Sequence, residues 1–125
     1  LSYDFCCGLY HKGERTPATA LALMRARYSA YAINHIDFLW DTWAEDSPNR
    51  PTREELDATS GSGGWVELRI LQVVDGHHHH TTGTVMFEAT QERATRIEVL
   101  RECSTFVREM GEWKYYDGEP PNSLD

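Results

Sequence analysis

Between Leu21 and Ala32 apolar side chains return every three or four positions, at Leu21, Met24, Tyr28, Tyr31 and Ala32. That spacing is the helical period, and it predicts an amphipathic helix over about 17–33. Thr16 is expected as its N-cap, with Pro17 at the first helical position, where a missing N–H does no harm. Asn34 and His35 interrupt the pattern. A second helix is expected from Ile36 to about Ala44, burying Phe38, Leu39, Thr42 and Trp43 to differing degrees. Ser47-Pro48-Asn49-Arg50-Pro51 then reads as a turn, and Thr52-Arg53-Glu54-Glu55 is a capping-box sequence that opens a short third helix. Residues 1–15 read as an irregular lead-in.

After Ser60-Gly61-Ser62-Gly63-Gly64 the period changes to two. Trp65 to Val74 is rich in β-branched and aliphatic residues, with Val66, Leu68, Ile70 and Val74 expected on one face and Glu67 and Arg69 on the other. Asp75-Gly76 and His77 to His80 form a turn or loop. Gly83 to Thr90 gives a second strand, in which Val85, Phe87 and Ala89 alternate with other residues. Ala94 to Glu109 gives a long third strand, which Met110-Gly111 turns into a fourth from Glu112 to Tyr116. Helices followed by an antiparallel meander predict the α+β class, with the helices packed on one face of a curved sheet.

The chain has 125 residues, 40% of them hydrophobic and 26% charged, which suits one globular domain with one core. Its formal charge of −8 repels phosphate backbones and anionic lipid, so neither nucleic acid nor membrane is an expected partner. No apolar stretch approaches the roughly 20 residues that a membrane-spanning helix needs. Cys6, Cys7 and Cys103 are odd in number and include an adjacent pair, a poor disulfide framework that points to a reducing, cytoplasmic compartment. The chain opens at Leu1 without a methionine, so a preceding N-terminal piece is expected. In solution a monomer or weak dimer is expected.

Leu23-Met24-Arg25-Ala26-Arg27-Tyr28-Ser29-Ala30-Tyr31, then Asp37-Phe38-Leu39 and Thr42-Trp43, resemble the opening helices of the bacterial YchJ-like family of SEC-C-motif proteins. Gly64-Trp65, Leu68, Ile70, Gly83-Thr84-Val85 and Phe87 resemble its first two strands. Phe106-Val107-Arg108-Glu109, Gly111, Trp113, Tyr115 and Asp117-Gly118 resemble its closing hairpin. The resemblance implies an NTF2-like (cystatin-like) cone over residues 16–118, in which a strongly bent sheet wraps a long helix and leaves a cavity. Residues 119–125 would be a C-terminal tail. Residues 1–15 would be the remnant of a SEC-C zinc motif, of which Cys6-Cys7-Gly8 matches the second half. The first cysteine pair would precede Leu1. The strand motif His-Glu-x-Ser-x-Phe reads here Arg101-Glu102-Cys103-Ser104-Thr105-Phe106, with an arginine in place of the histidine. The family as a whole has no settled activity.

Structural zinc takes four soft ligands in a tetrahedron, and Cys6 and Cys7 would supply two. His11 is a possible substitute ligand, but two thiolates and one histidine leave a position open. Zinc is therefore expected in the complete protein and not in these 125 residues alone. His77 to His80 are expected as a solvated, flexible hairpin loop without the preformed geometry of a metal site. Cys103 is expected as a small core residue. Tyr28, Asp37, Trp43, Glu102 and Ser104 are the candidate cavity residues, and Arg25 or Arg27 is the expected ion-pair partner of a buried Glu102. Asp37 is equally placed to act as a first-turn carboxylate favoured by the helix dipole. No phosphate-binding glycine loop, G-x-S-x-G elbow or H-E-x-x-H occurs. The expectation is a noncatalytic binding module: its cavity holds a small ligand, and its zinc motif recruits a protein partner. The alternative is a small cone-fold dehydratase, isomerase or hydrolase using a cavity carboxylate.

Overall fold

The computed structural model describes residues 7–59 and 64–120. Four helices come first: α1 (Cys7–His11), α2 (Ala20–Ala32), α3 (Ile36–Asp41) and α4 (Arg53–Thr59). Four strands follow: β1 (Trp65–Asp75), β2 (Thr82–Arg93), β3 (Arg96–Glu109) and β4 (Glu112–Glu119). They form one antiparallel sheet in sequential order, as the alternation predicts.

α2 lies across the inner face of the sheet. Ala20, Ala26 and Ala30 present almost no side chain, which lets neighbouring elements approach closely, while Leu23 fills the space between. From the sheet, Val85, Phe87, Ala89 and Phe106 meet it, and Leu39 of α3 closes the other side. Asn34, with φ of 59°, ends α2 in the left-handed conformation. His35 then caps α3, its Nδ1 accepting from the Phe38 N–H at 3.3 Å. The capping box of α4 forms in both directions: Thr52 Oγ1 accepts from the Glu55 N–H at 3.1 Å, and Glu55 Oε1 accepts from the Thr52 N–H at 3.0 Å.

Local signals fail where tertiary contacts decide. α2 begins at Ala20 and not at Pro17, because Thr19 is the cap and accepts from the Ala22 N–H at 3.1 Å. The Ala20 N–H is held by the Gly76 carbonyl at 2.9 Å, and the Ala18 carbonyl accepts from the Trp113 indole at 3.1 Å. The segment before Thr19 is thus tied to the sheet and cannot join the helix. The lead-in contains α1, a turn too short for periodicity to reveal, docked on α2 where His11 Nε2 meets the Ala26 carbonyl at 2.8 Å.

β1 departs from strict alternation. Register shifts at Trp65/Glu67 and at Ile70/Gln72 keep Leu68 and Ile70 opposite Ala89 and Phe87. They leave Val66 and Val74 54% and 46% exposed, so these two do not share the buried face expected of them. Cys103 is likewise not a core residue. Ser104 and Glu102 point inward, so Cys103 lies opposite Met86 on the outer face, half-buried.

The histidine loop is held in place, against the expectation of a flexible one. Arg108 donates from Nε to the His80 carbonyl at 2.7 Å and from Nη2 to the His78 carbonyl at 2.7 Å. Its Nη1 reaches the Gly111 carbonyl at 3.0 Å, and the guanidinium lies over the Trp113 ring. Arg108 therefore holds backbone, and the imidazoles pack on one another in solvent. Among the described residues no group of three or more His, Cys, Asp or Glu is placed to hold a metal ion. Replacing His77, His78, His79 and His80 together by serine should change stability by less than about 0.5 kcal/mol. Arg108→Met, which leaves those carbonyls without their donor, should lose about 1.5–3 kcal/mol. Urea denaturation of both variants checks this; the opposite order of effects would contradict it.

Candidate ligand cavity

Every second residue of a strand faces the same side, and the register β2–β3 sets Phe87 opposite Glu102, Ala89 opposite Leu100 and Val85 opposite Ser104. These side chains look toward α2. On the facing side of α2, Met24, Arg27, Tyr28 and Tyr31 fall at spacings of three and four. Between helix and sheet lies a cavity of about 270 Å³. Its lining from α2 is those four side chains; from the sheet come Trp65, Phe87, Ala89, Leu100, Glu102, Ser104 and Tyr115.

The polar groups are few and tightly arranged. Ser104, 1% exposed, donates its hydroxyl to Glu102 Oε2 at 2.7 Å. The Tyr115 hydroxyl lies 3.5 Å from the same oxygen. Burial, reinforced by the nearby Glu102 carboxylate, pushes the Tyr115 hydroxyl well above its ordinary pKa, so it remains a protonated donor. Gly118 backs this group. A Cβ there would run into the Glu102 carboxylate and come within 2.6 Å of the Tyr115 hydroxyl, so the close approach requires glycine.

Arg27 is 4% exposed. Its Nη1 donates to the Leu39 carbonyl at 2.9 Å and to Thr42 Oγ1 at 2.8 Å. The guanidinium sits 4.7 Å from the Tyr115 ring centroid, 5.1 Å from Trp43 and 6.0 Å from Tyr31. Desolvation draws its pKa down, partly opposed by Tyr31 and Tyr115, yet an arginine starts so high that it keeps its charge.

Of the five candidate cavity residues, the structure brings together Tyr28, Glu102 and Ser104. Trp43 stands behind the wall: its ring is edge-on to Tyr115 at 5.0 Å and its indole donates to Ser47 Oγ at 3.1 Å. Asp37 is elsewhere. It opens α3 on the exposed surface and pairs with Arg53, where the helix dipole and that arginine suffice to explain it. The expected ion pair is also revised. Arg25 points to solvent, and Arg27 shares the cavity with Glu102 without reaching ion-pair distance, because Leu39, Thr42 and the rings hold its guanidinium back. Arg27 and Tyr115 are the residues that sequence reasoning undervalued. The available signal was a charged side chain in register with Leu23 and Tyr31 on an otherwise apolar helix face.

Cys6 lies outside the described residues. Cys7 is buried; its Sγ accepts from the Ser29 hydroxyl at 3.1 Å and lies 3.7 Å from the Arg25 carbonyl. His11 is buried, with Nε2 on the Ala26 carbonyl, and desolvation lowers its pKa.

Residues 19–118 match the family model described as the YchJ, middle NTF2-like domain. A UPF0225 protein of Streptomyces coelicolor is 42% identical over 118 residues, covering 94% of this chain and 88% of the relative. The solution structure of a SEC-C motif containing protein from Rhodopseudomonas palustris superposes with a TM-score of 0.84 at 30% identity, over 95% of this chain and 91% of that one. A SEC-C motif containing protein from Psychrobacter arcticus, at 23% identity and a TM-score of 0.80 over 94% of this chain and 71% of that one, shares the fold. No helix among the described residues is long and apolar enough to cross a membrane. With a matching domain model, a close relative and this shared architecture, the chain belongs to the YchJ-like UPF0225 family of SEC-C-motif proteins, and its fold is the α+β NTF2-like one.

Proposed function

We propose that this chain is a noncatalytic, cytoplasmic binding module whose cavity takes a small amphipathic ligand, and whose N-terminal SEC-C-type motif engages a protein partner. The observation that carries the first part is the cavity itself: a mostly apolar lining on which a few polar groups, Arg27, Glu102 and Tyr115, converge. That is the usual build of a small-molecule site, in which apolar walls supply affinity and a few polar groups fix orientation. The second reading, a cone-fold enzyme, is favoured by one feature, a carboxylate in the cavity with hydroxyls on one of its oxygens. Asp37 has no part in it.

The two readings give Glu102→Gln opposite signs. As an internal acceptor braced by Ser104 and Tyr115, Glu102 contributes stability, and the amide should lose about 1 kcal/mol or more. Active-site carboxylates are held at a cost to stability, and their removal is neutral or stabilising. Chemical denaturation of the variant decides; a more stable Glu102→Gln protein would overturn the binding-module reading.

For zinc, the residues present fit half a site. Cys7 is a buried sulfur with a hydroxyl donor beside it, the kind of outer contact that steadies a metal-bound thiolate, and Cys6 is its neighbour in the chain. His11 is committed to α2. Cys6 and Cys7 would each provide a thiolate to such a site. Metal analysis should find no stoichiometric zinc in the 125-residue chain. It should find one zinc when a Cys-x-Cys-Gly segment precedes it. One tightly held zinc in the shorter form would contradict this reading.

A further inference from the structure

The cavity holds two opposite charges that do not neutralise each other by contact. Arg27 is nearly fully buried, and among the described residues no carboxylate lies within ion-pair distance of it. Buried guanidinium groups are ordinarily paired, since an uncompensated charge in a desolvated site is costly. Its Nη1 is satisfied by Leu39 and Thr42, which fixes the group in place without supplying a counter-anion. Glu102 is half-buried, and only one of its carboxylate oxygens is occupied. Oε2 receives the Ser104 hydroxyl and faces that of Tyr115, while Oε1 has no hydrogen-bond donor among the described residues.

Tyr115 sets the spacing. Arg27 lies over the face of its ring, and the Glu102 carboxylate lies at its hydroxyl end, so both charged groups border the same side chain without touching each other. A ligand bearing only a cation would satisfy Glu102 and repel Arg27, and one bearing only an anion would do the reverse. A ligand that carries an ammonium and a carboxylate on the same carbon complements both. Most of the rest of the lining is apolar, Trp65, Phe87, Ala89 and Leu100 from the sheet and Met24 from α2, with the rings of Tyr28 and Tyr31 beside them. At about 270 Å³, the volume is at the small end for ligand sites and suits a metabolite-sized molecule.

From this geometry we infer that the cavity binds a free, zwitterionic α-amino acid with a large apolar side chain. Its carboxylate meets Arg27, its ammonium meets Glu102 Oε1, and its side chain lies against Trp65, Phe87 and Leu100. The inference rests on the binding-module reading and names the ligand class of the same cavity.

Four probes share one apolar body and differ in charge: L-phenylalanine, phenethylamine, 3-phenylpropionate and ethylbenzene. Titration calorimetry on the whole chain, with intrinsic tryptophan fluorescence as a second readout, should show L-phenylalanine binding at least about tenfold more tightly than each of the others, a difference of about 1.4 kcal/mol. Glu102→Gln should bring L-phenylalanine to within about twofold of 3-phenylpropionate. Arg27→Lys, which keeps the charge but loses the planar fork, should weaken L-phenylalanine about tenfold. Should the lysine variant fail to fold, the four probes on the parent chain still decide. Ethylbenzene or 3-phenylpropionate binding as tightly as L-phenylalanine would overturn the zwitterion and leave the cavity reading standing. Binding of none of the four would overturn both. An undiminished preference for L-phenylalanine in Glu102→Gln would also overturn it.

Discussion

Arg27 leaves α2 on its buried face and reaches, through Nη1, both the Leu39 carbonyl and the Thr42 hydroxyl at the end of α3. The same residue, Thr42, accepts from the Tyr115 N–H at 2.8 Å through its carbonyl, and the Ala44 N–H returns to the Tyr115 carbonyl at 2.8 Å. One guanidinium therefore ties α2 to α3 at the point where α3 is stitched to β4. Trp43 and Tyr115 enclose it edge to face, and their ring faces compensate part of the desolvation by cation–π attraction. Without that junction α3 would have little to hold it against the sheet edge, and the Tyr115 wall of the cavity would lose its backing.

The cavity follows from the same constraint. A leucine at position 27 could pack against the rings and let helix and sheet close together. A charged group that must be held by backbone and hydroxyl oxygens keeps them apart, and Glu102 on the facing strand keeps the opposite wall polar. Gly118 allows that carboxylate to lie close to β4. Fold stability and site chemistry thus draw on the same few side chains, so a change there acts on both.

Much of this could be read from the chain. The alternation in β2 gave Val85, Phe87 and Ala89 as one face, and Glu102 and Ser104 of β3 were rightly placed toward the cavity, because a central strand with both neighbours paired has little freedom in register. The capping box at Thr52 formed as written, since its two bonds are local. The start of α2 was misplaced, because Thr16 and Thr19 are equivalent caps until the Gly76 carbonyl and the Trp113 indole choose between them. β1 was misread because bulges in an edge strand leave no mark in its alternation. Asp37 and Trp43 fell outside the cavity lining for different reasons. Proximity along a short helix says nothing of which way its face turns, and α3 turns Phe38 and Leu39 inward and Asp37 outward. Trp43 lies beyond the end of α3, bridged to Tyr115 behind the wall. Cys6 lies outside the described residues, and Cys7 contacts α2 through Ser29 and the Arg25 carbonyl.

The measurement that bears most directly on this account is equilibrium denaturation of Arg27→Met against the parent chain. Methionine keeps the apolar stem and removes the charge, leaving the Leu39 carbonyl and the Thr42 hydroxyl without their donor. If the guanidinium is the junction of α2, α3 and β4, the variant loses at least about 2 kcal/mol. A variant as stable as the parent, or more so, would show that the junction is held by packing alone.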